Sequence, residues 1–128
     1  MLSLKKKSIG FIGLGLMGFP MCLNLIKAGM KVVATTRSAY SLEAISKAGA
    51  KTVKSPIKAA EKADIVIIMV ANSSAVESVL HGSEGVLKGI RSNSLVIDMG
   101  TTEGTKIRSF GAQIEAVSYT HLTLPTKA

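Results

Sequence analysis

Apolar positions along this chain alternate between two rhythms. Short runs rich in β-branched residues, bounded by glycine or polar turns, predict five strands at Ser8–Ile12, Lys31–Thr35, Lys51–Lys54, Ile65–Val70 and Ser94–Gly100. The run at Ile65–Val70 is unbroken rather than alternating, so it predicts a central strand covered on both faces. Between the strands the spacing becomes helical. Met17, Met21 and Leu25 recur every four residues with Cys22 and Ile26 beside them, on a helix that ends at Ala28-Gly29. Leu42, Ile45 and Ala48 predict a short helix closing at Gly49. Ser55-Pro56 opens another that ends near Lys62, because proline suits a first helical turn. Ser73 or Ser74 caps a helix through Leu80, Ser83–Val86 begins a short one, and Thr102-Glu103 opens a last one through about Ala116. Strands alternating with helices in this way predict a doubly wound parallel α/β sheet with right-handed crossovers.

The last twelve residues, VSYTHLTLPTKA, break that alternation and suggest no strand partner. VSYTHLTLPT resembles the translation of a transposase adapter used in shotgun sequencing. The expected organisation is therefore a domain over 1–116, cut in mid-gene and incomplete at its C-terminal end, followed by a non-native tail over 117–128. His121 is given no role on this reading. A sheet ending at its fifth strand leaves an apolar edge open, which predicts poor solubility.

Composition narrows the function classes. In 128 residues, 47% are hydrophobic and 19% charged, enough apolar side chain for one packed core and unlike a disordered chain. Two Tyr, three Phe and no Trp leave little for stacking on nucleic-acid bases. The net charge of +8 is spread singly apart from Lys5-Lys6-Lys7, with Lys27, Lys31, Lys47, Lys51, Lys54, Lys58 and Lys62 read as solvated positions. No nucleic-acid partner is expected. One cysteine, Cys22, excludes an internal disulfide and any multi-cysteine metal site, and it fits a cytoplasmic, reducing location.

Nineteen uncharged residues, Ser8–Ile26, superficially suggest a signal peptide or membrane span. Gly10, Gly13, Gly15 and Gly18 would each weaken a helix by about 1 kcal/mol, and Pro20 breaks it further. No membrane partner is expected.

The same glycines carry the chemistry. Gly13-Leu14-Gly15-Leu16-Met17-Gly18 is a G-x-G-x-x-G turn between a predicted strand and a predicted helix. The first glycine allows a tight turn, the second lets backbone approach a pyrophosphate, and the third lets helix pack on strand. The backbone N–H groups of Leu16 and Met17 would face phosphates at the positive end of the helix dipole. This is the Rossmann pattern of a dinucleotide site.

The end of the second strand bears on which dinucleotide. A chain built for NAD places an acid there to hold a ribose 2′-hydroxyl, about 20 residues beyond the glycines. Here the sequence is Thr35-Thr36-Arg37-Ser38, with no acid before Glu43. Guanidinium pairs with a 2′-phosphate and hydroxyls add donors, so NADP(H) is expected over NAD(H). The competing reading of Arg37 is an ordinary loop arginine.

GFIGLGLMGFPMCLNLIKAG (Gly10–Gly29), Thr36-Arg37-Ser38, ADIVIIMV (Ala63–Val70) and VIDMGTT (Val96–Thr102) together resemble the N-terminal domain of the β-hydroxyacid dehydrogenases, relatives of 6-phosphogluconate dehydrogenase. The resemblance implies hydride transfer between a nicotinamide cofactor and a small β-hydroxy acid or its semialdehyde, in a homo-oligomeric full-length protein. It implies further cofactor contacts at Val70, Ala71 and Thr101, and substrate contacts at Gly100 and Thr101. The family's Leu-Pro is Val70-Ala71 here, and its serine is Gly100, which leaves only backbone amides to hold a substrate carboxylate at that point. The family's acid/base lysine and neighbouring asparagine follow on a linking helix, and residues 1–116 do not include them. This chain is therefore expected to bind cofactor without turnover. A non-catalytic dinucleotide-sensing module is the alternative.

Other residues read as structural. Asp64 opens the fourth strand and Asp98 ends the fifth, at opposite ends of a parallel sheet, so they form no carboxylate pair; Asp98 is a candidate for the site's edge. His81 reads as a helix C-terminal residue and Cys22 as core. No catalytic residue and no metal ligand is expected.

Overall fold

The computed structural model describes residues 7–70, 73–90, 94–99 and 120–123. β1 (Ser8–Ile12), α1 (Gly18–Lys27), β2 (Lys31–Thr35), α2 (Ala39–Lys47) and β3 (Lys51–Thr52) are followed by α3 (Pro56–Ala60), β4 (Ile65–Ile68) and α4 (Ser73–His81). A 3-10 turn at Val86–Lys88, β5 (Leu95–Asp98) and β6 (Thr120–Thr123) complete the order. The strands form one sheet in the order β3-β2-β1-β4-β5-β6, every pair parallel. That order is the doubly wound, Rossmann-type arrangement, with its switch point between β1 and β4.

Both faces of the sheet are covered, as the unbroken apolar runs require. Alternate strand residues point to opposite faces. Ile9, Phe11, Val32, Ala34 and Ile67 join Cys22 and Ile45 in one cluster. Ile12, Val66, Ile68 and Val96 face the other way, with Ala59, Ala60, Val76, Leu80 and Val86. Each fully buried aliphatic or aromatic side chain here contributes about 1.5–3 kcal/mol through apolar area removed from water.

The N-terminal end of the sheet is tied by polar groups. Asp64 takes the backbone N–H of Ser8 on its Oδ2 (2.9 Å), and its carbonyl accepts from Leu95 (3.0 Å). Buried Ser94 donates its hydroxyl to the Ala63 carbonyl (2.8 Å). These bonds hold β1, β4 and β5 level, so their C-terminal ends finish together on the opposite edge.

Two expectations are corrected. The last twelve residues do have a strand partner: Thr120–Thr123 pairs with Leu95–Asp98 in parallel register, and the outer edge of β5 is covered. Parallel pairing uses main-chain groups, and two β-branched threonines in a four-residue segment suffice for it. Met17 is not part of the packed stripe of α1. It precedes the first helical turn and stands 66% exposed, while Cys22 behind it is buried. β3 and α3 are also shorter than predicted. The helix expected from Thr102 to Ala116 lies outside the described residues. Among the described residues no helix is long and apolar enough to cross a membrane.

Candidate dinucleotide-binding site

Beyond Ile12 the chain leaves β1 through Gly13, whose φ of 102° is a left-handed conformation that side chains other than glycine's rarely adopt. Its N–H donates to the carbonyl of Thr35 (3.0 Å). A Cβ at Gly13 would also collide with the Met69 carbonyl, so β1 and β4 could not approach as they do. At Gly18 a Cβ would run into the carbonyl of Gly13, which is how close the first turn of α1 lies to the strand end. Gly15 differs: a Cβ there meets nothing within 4 Å. Two glycines are thus needed by the protein's own packing, and the middle one faces space.

α1 begins without a side-chain cap and with no acidic residue in its first turn. The N–H of Leu14 is taken by the hydroxyl of Thr36 (3.3 Å), whereas the N–H groups of Gly15, Leu16 and Met17 meet no acceptor among the described residues. Unpaired donors at the positive end of a helix are an anion site.

A cleft of about 500 Å³ opens from this turn along the C-terminal ends of the strands. Ile12, Gly13, Leu14 and Gly15 form its floor and Thr35, Thr36 and Arg37 the wall from β2. Met69 and Val70 follow β4, and Ala75, Ser78 and Val79 come from α4. Lys54 enters from the β3–α3 connection and Pro56 from the start of α3, and Gly82, Ser83 and Glu84 close the far side. An uncapped helix, an open cradle at Gly15 that a side chain would enter and a largely apolar cleft at the switch point together fit a dinucleotide.

Residues 8–127 match the family described as the NAD binding domain of 6-phosphogluconate dehydrogenase. The chain belongs to this family. It is 34% identical over 117 residues to 2-hydroxy-3-oxopropionate reductase of Escherichia coli, covering 91% of this chain and 40% of that protein. Against 3-sulfolactaldehyde reductase of the same organism it is 33% identical over 118 residues, covering 92% and 40%. The structure of Mycobacterium tuberculosis 3-hydroxyisobutyrate dehydrogenase with L-serine superposes with a TM-score of 0.88 at 30% identity, covering 95% of this chain and 41% of that one. The chain spans about 40% of the length of the curated relatives it matches.

In this nicotinamide-dinucleotide domain the site residues expected from sequence occupy distinct places. Gly13, Leu14, Gly15, Thr36, Arg37 and Val70 line one cleft. Leu16 and Met17 project from its rim into solvent, and Gly18 is buried beneath them. Leu14 contributes backbone to the floor but turns its side chain into the core. Ser38 is the N-cap of α2, and its Oγ accepts from the backbone N–H of Ser41 (3.3 Å). Ala71, Gly100 and Thr101 lie outside the described residues.

Sequence reasoning missed Lys54, Ser78 and Glu84, which also line the cleft. Lys54, the last residue of the strand expected at Lys51–Lys54, carried no signal that set it apart from the other scattered lysines. Ser78 and Glu84 become neighbours of the glycine turn only once α4 folds back along the sheet. Asp64 and Asp98 stand at opposite ends of the strands, as expected, with Asp98 buried. His81 is the last residue of α4. Cys22 is fully buried, and burial pushes its thiol from 9.0 up to about 11, which keeps it protonated and unreactive at neutral pH.

Proposed function

We propose that this chain is the NADP(H)-binding portion of an oxidoreductase that moves hydride between nicotinamide and a small β-hydroxy acid or its semialdehyde. When bound, the dinucleotide supplies the hydride chemistry. The chain's own part is to seat the diphosphate on the free N–H groups of Gly15, Leu16 and Met17 and to recognise the adenosine end along β2. Acid/base work on the alcohol oxygen is assigned to the helical domain that the family places after this one.

One observation carries the preference for the phosphorylated cofactor. The end of β2 presents Thr36 and Arg37 to the cleft with no carboxylate among Thr35–Ser38. A ribose 2′-hydroxyl finds no acidic acceptor there, whereas a 2′-phosphate finds a guanidinium fork.

Titration of NADPH and NADH against the chain by cofactor fluorescence tests this. NADPH is expected to bind about tenfold tighter or better, and Arg37→Ala to remove most of the difference. Equal or tighter binding of NADH, unchanged by Arg37→Ala, would discard the assignment.

A further inference from the structure

Lys54 follows the two-residue strand β3, and nothing in the sequence distinguishes it from the other scattered lysines. Its place in the fold is different. β2 and β3 pair in parallel with Val33 opposite Lys51 and Ala34 opposite Thr52. The bond from the Val53 N–H to the Ala34 carbonyl (3.0 Å) carries that pairing one residue further. Continued in the same register, Lys54 falls level with Thr36, one residue before Arg37. Adjacent strands lie about 4.8 Å apart, so the two cationic side chains spring from neighbouring strand ends.

Both line the cleft, and both are exposed. The backbone on either side of Lys54 is fixed. Val53 is tied to β2, Ser55 is buried, and Ile57 donates to the Glu84 carbonyl (2.8 Å). Among the described residues, Glu84 is the one acidic residue lining the cleft, against two cations. Neither Arg37 nor Lys54 has an ion-pair partner among the described residues. Such a pair suits a dianionic phosphate: the guanidinium offers a planar fork and the ammonium a compact charge with three donors.

We propose that Lys54 is the second cation of the 2′-phosphate subsite, closing on the phosphate from the β3 side while Arg37 closes from β2. The proposal rests on the NADP(H) reading above and adds a specificity-determining residue to it.

Isothermal titration with 2′,5′-ADP and 5′-AMP, two nucleotides that differ by the phosphate in question, tests both and separates them. The wild-type chain binds 2′,5′-ADP more tightly. Lys54→Met weakens 2′,5′-ADP about tenfold and changes 5′-AMP less than about twofold, and Lys54→Arg restores most of the loss. If Lys54→Met binds 2′,5′-ADP as the wild type does while Arg37→Ala loses it, the role of Lys54 is overturned and the NADP(H) reading stands. Equal weakening of both nucleotides by Lys54→Met also overturns the role, since the residue then does not recognise the phosphate. If the wild type binds the two nucleotides equally, the NADP(H) reading falls and Lys54 with it.

Discussion

The hydroxyl of Thr36, one residue beyond β2, accepts the backbone N–H of Leu14 in the glycine turn at 3.3 Å. The bond joins the phosphate-seating backbone to the strand end that carries Arg37, two segments 22 residues apart in the chain. Thr36→Val keeps the shape but removes the acceptor, leaving a part-buried N–H unpaired. We expect a loss of about 1–2 kcal/mol in urea denaturation and weaker dinucleotide binding, with Thr36→Ser close to wild type. Unchanged stability and affinity in the valine variant would show that the turn holds its form without this bond.

Gly15 and Gly18 should respond in opposite ways to the same added methyl group. In Gly18→Ala the new carbon meets the Gly13 carbonyl, so the first turn of α1 must shift, at a cost of about 1–3 kcal/mol in thermal or chemical unfolding. Gly15→Ala meets nothing in the protein. Its stability should stay within about 1 kcal/mol of wild type while dinucleotide affinity drops about tenfold, because the methyl fills the cradle. Calorimetric binding beside a melting curve separates the two; a Gly15→Ala chain that binds normally would place the diphosphate elsewhere.

Alkaline stability should carry a contribution from Cys22. Burial raises its thiol from 9.0 to about 11, so in that interval the unfolded chain releases a proton that the folded chain keeps. The stabilisation is complete below pH 9.0 and declines as pH rises through about 11. Urea midpoints measured across this interval should fall less steeply for Cys22→Ala than for wild type, although the variant starts lower because of the cavity. Parallel slopes in the two proteins would count against the assignment.

How far the sequence could be read depended on whether the signal was local. Ser8–Ile12 and Lys31–Thr35 were legible to the residue, because each is a short apolar run between turn-forming residues. The glycine turn was legible for the same reason, since its three glycines act within six residues of one another. Ser38 is expected as a donor to the cofactor, and its position before a helix gives it a second use as the cap of α2, where its oxygen accepts and its O–H stays able to donate. Lys54 and Glu84 were illegible as site residues: one depends on β3 lying beside β2, the other on the α4 connection returning over α3. The pairing of Thr120–Thr123 was missed because the outer edge of a sheet recruits by main chain, and composition gives little sign of it.

At the other end of the strands, Ser94→Ala should separate folding from binding. The buried hydroxyl bonded to the Ala63 carbonyl at 2.8 Å holds the entry to β5, on the edge away from the cleft. We expect about 1 kcal/mol lower stability and dinucleotide affinity equal to wild type, read by denaturation and titration on the same preparation. A loss of affinity without a loss of stability would contradict this division.

Arg37 stands between two anchored neighbours, Thr36 held to the glycine turn and Ser38 bonded to the start of α2. The main chain at this point is therefore set before any ligand arrives, and only the side chain remains to be ordered on binding. A segment built in that way can be re-addressed to a different nucleotide by exchanging the group it displays, with no remodelling of the loop that displays it.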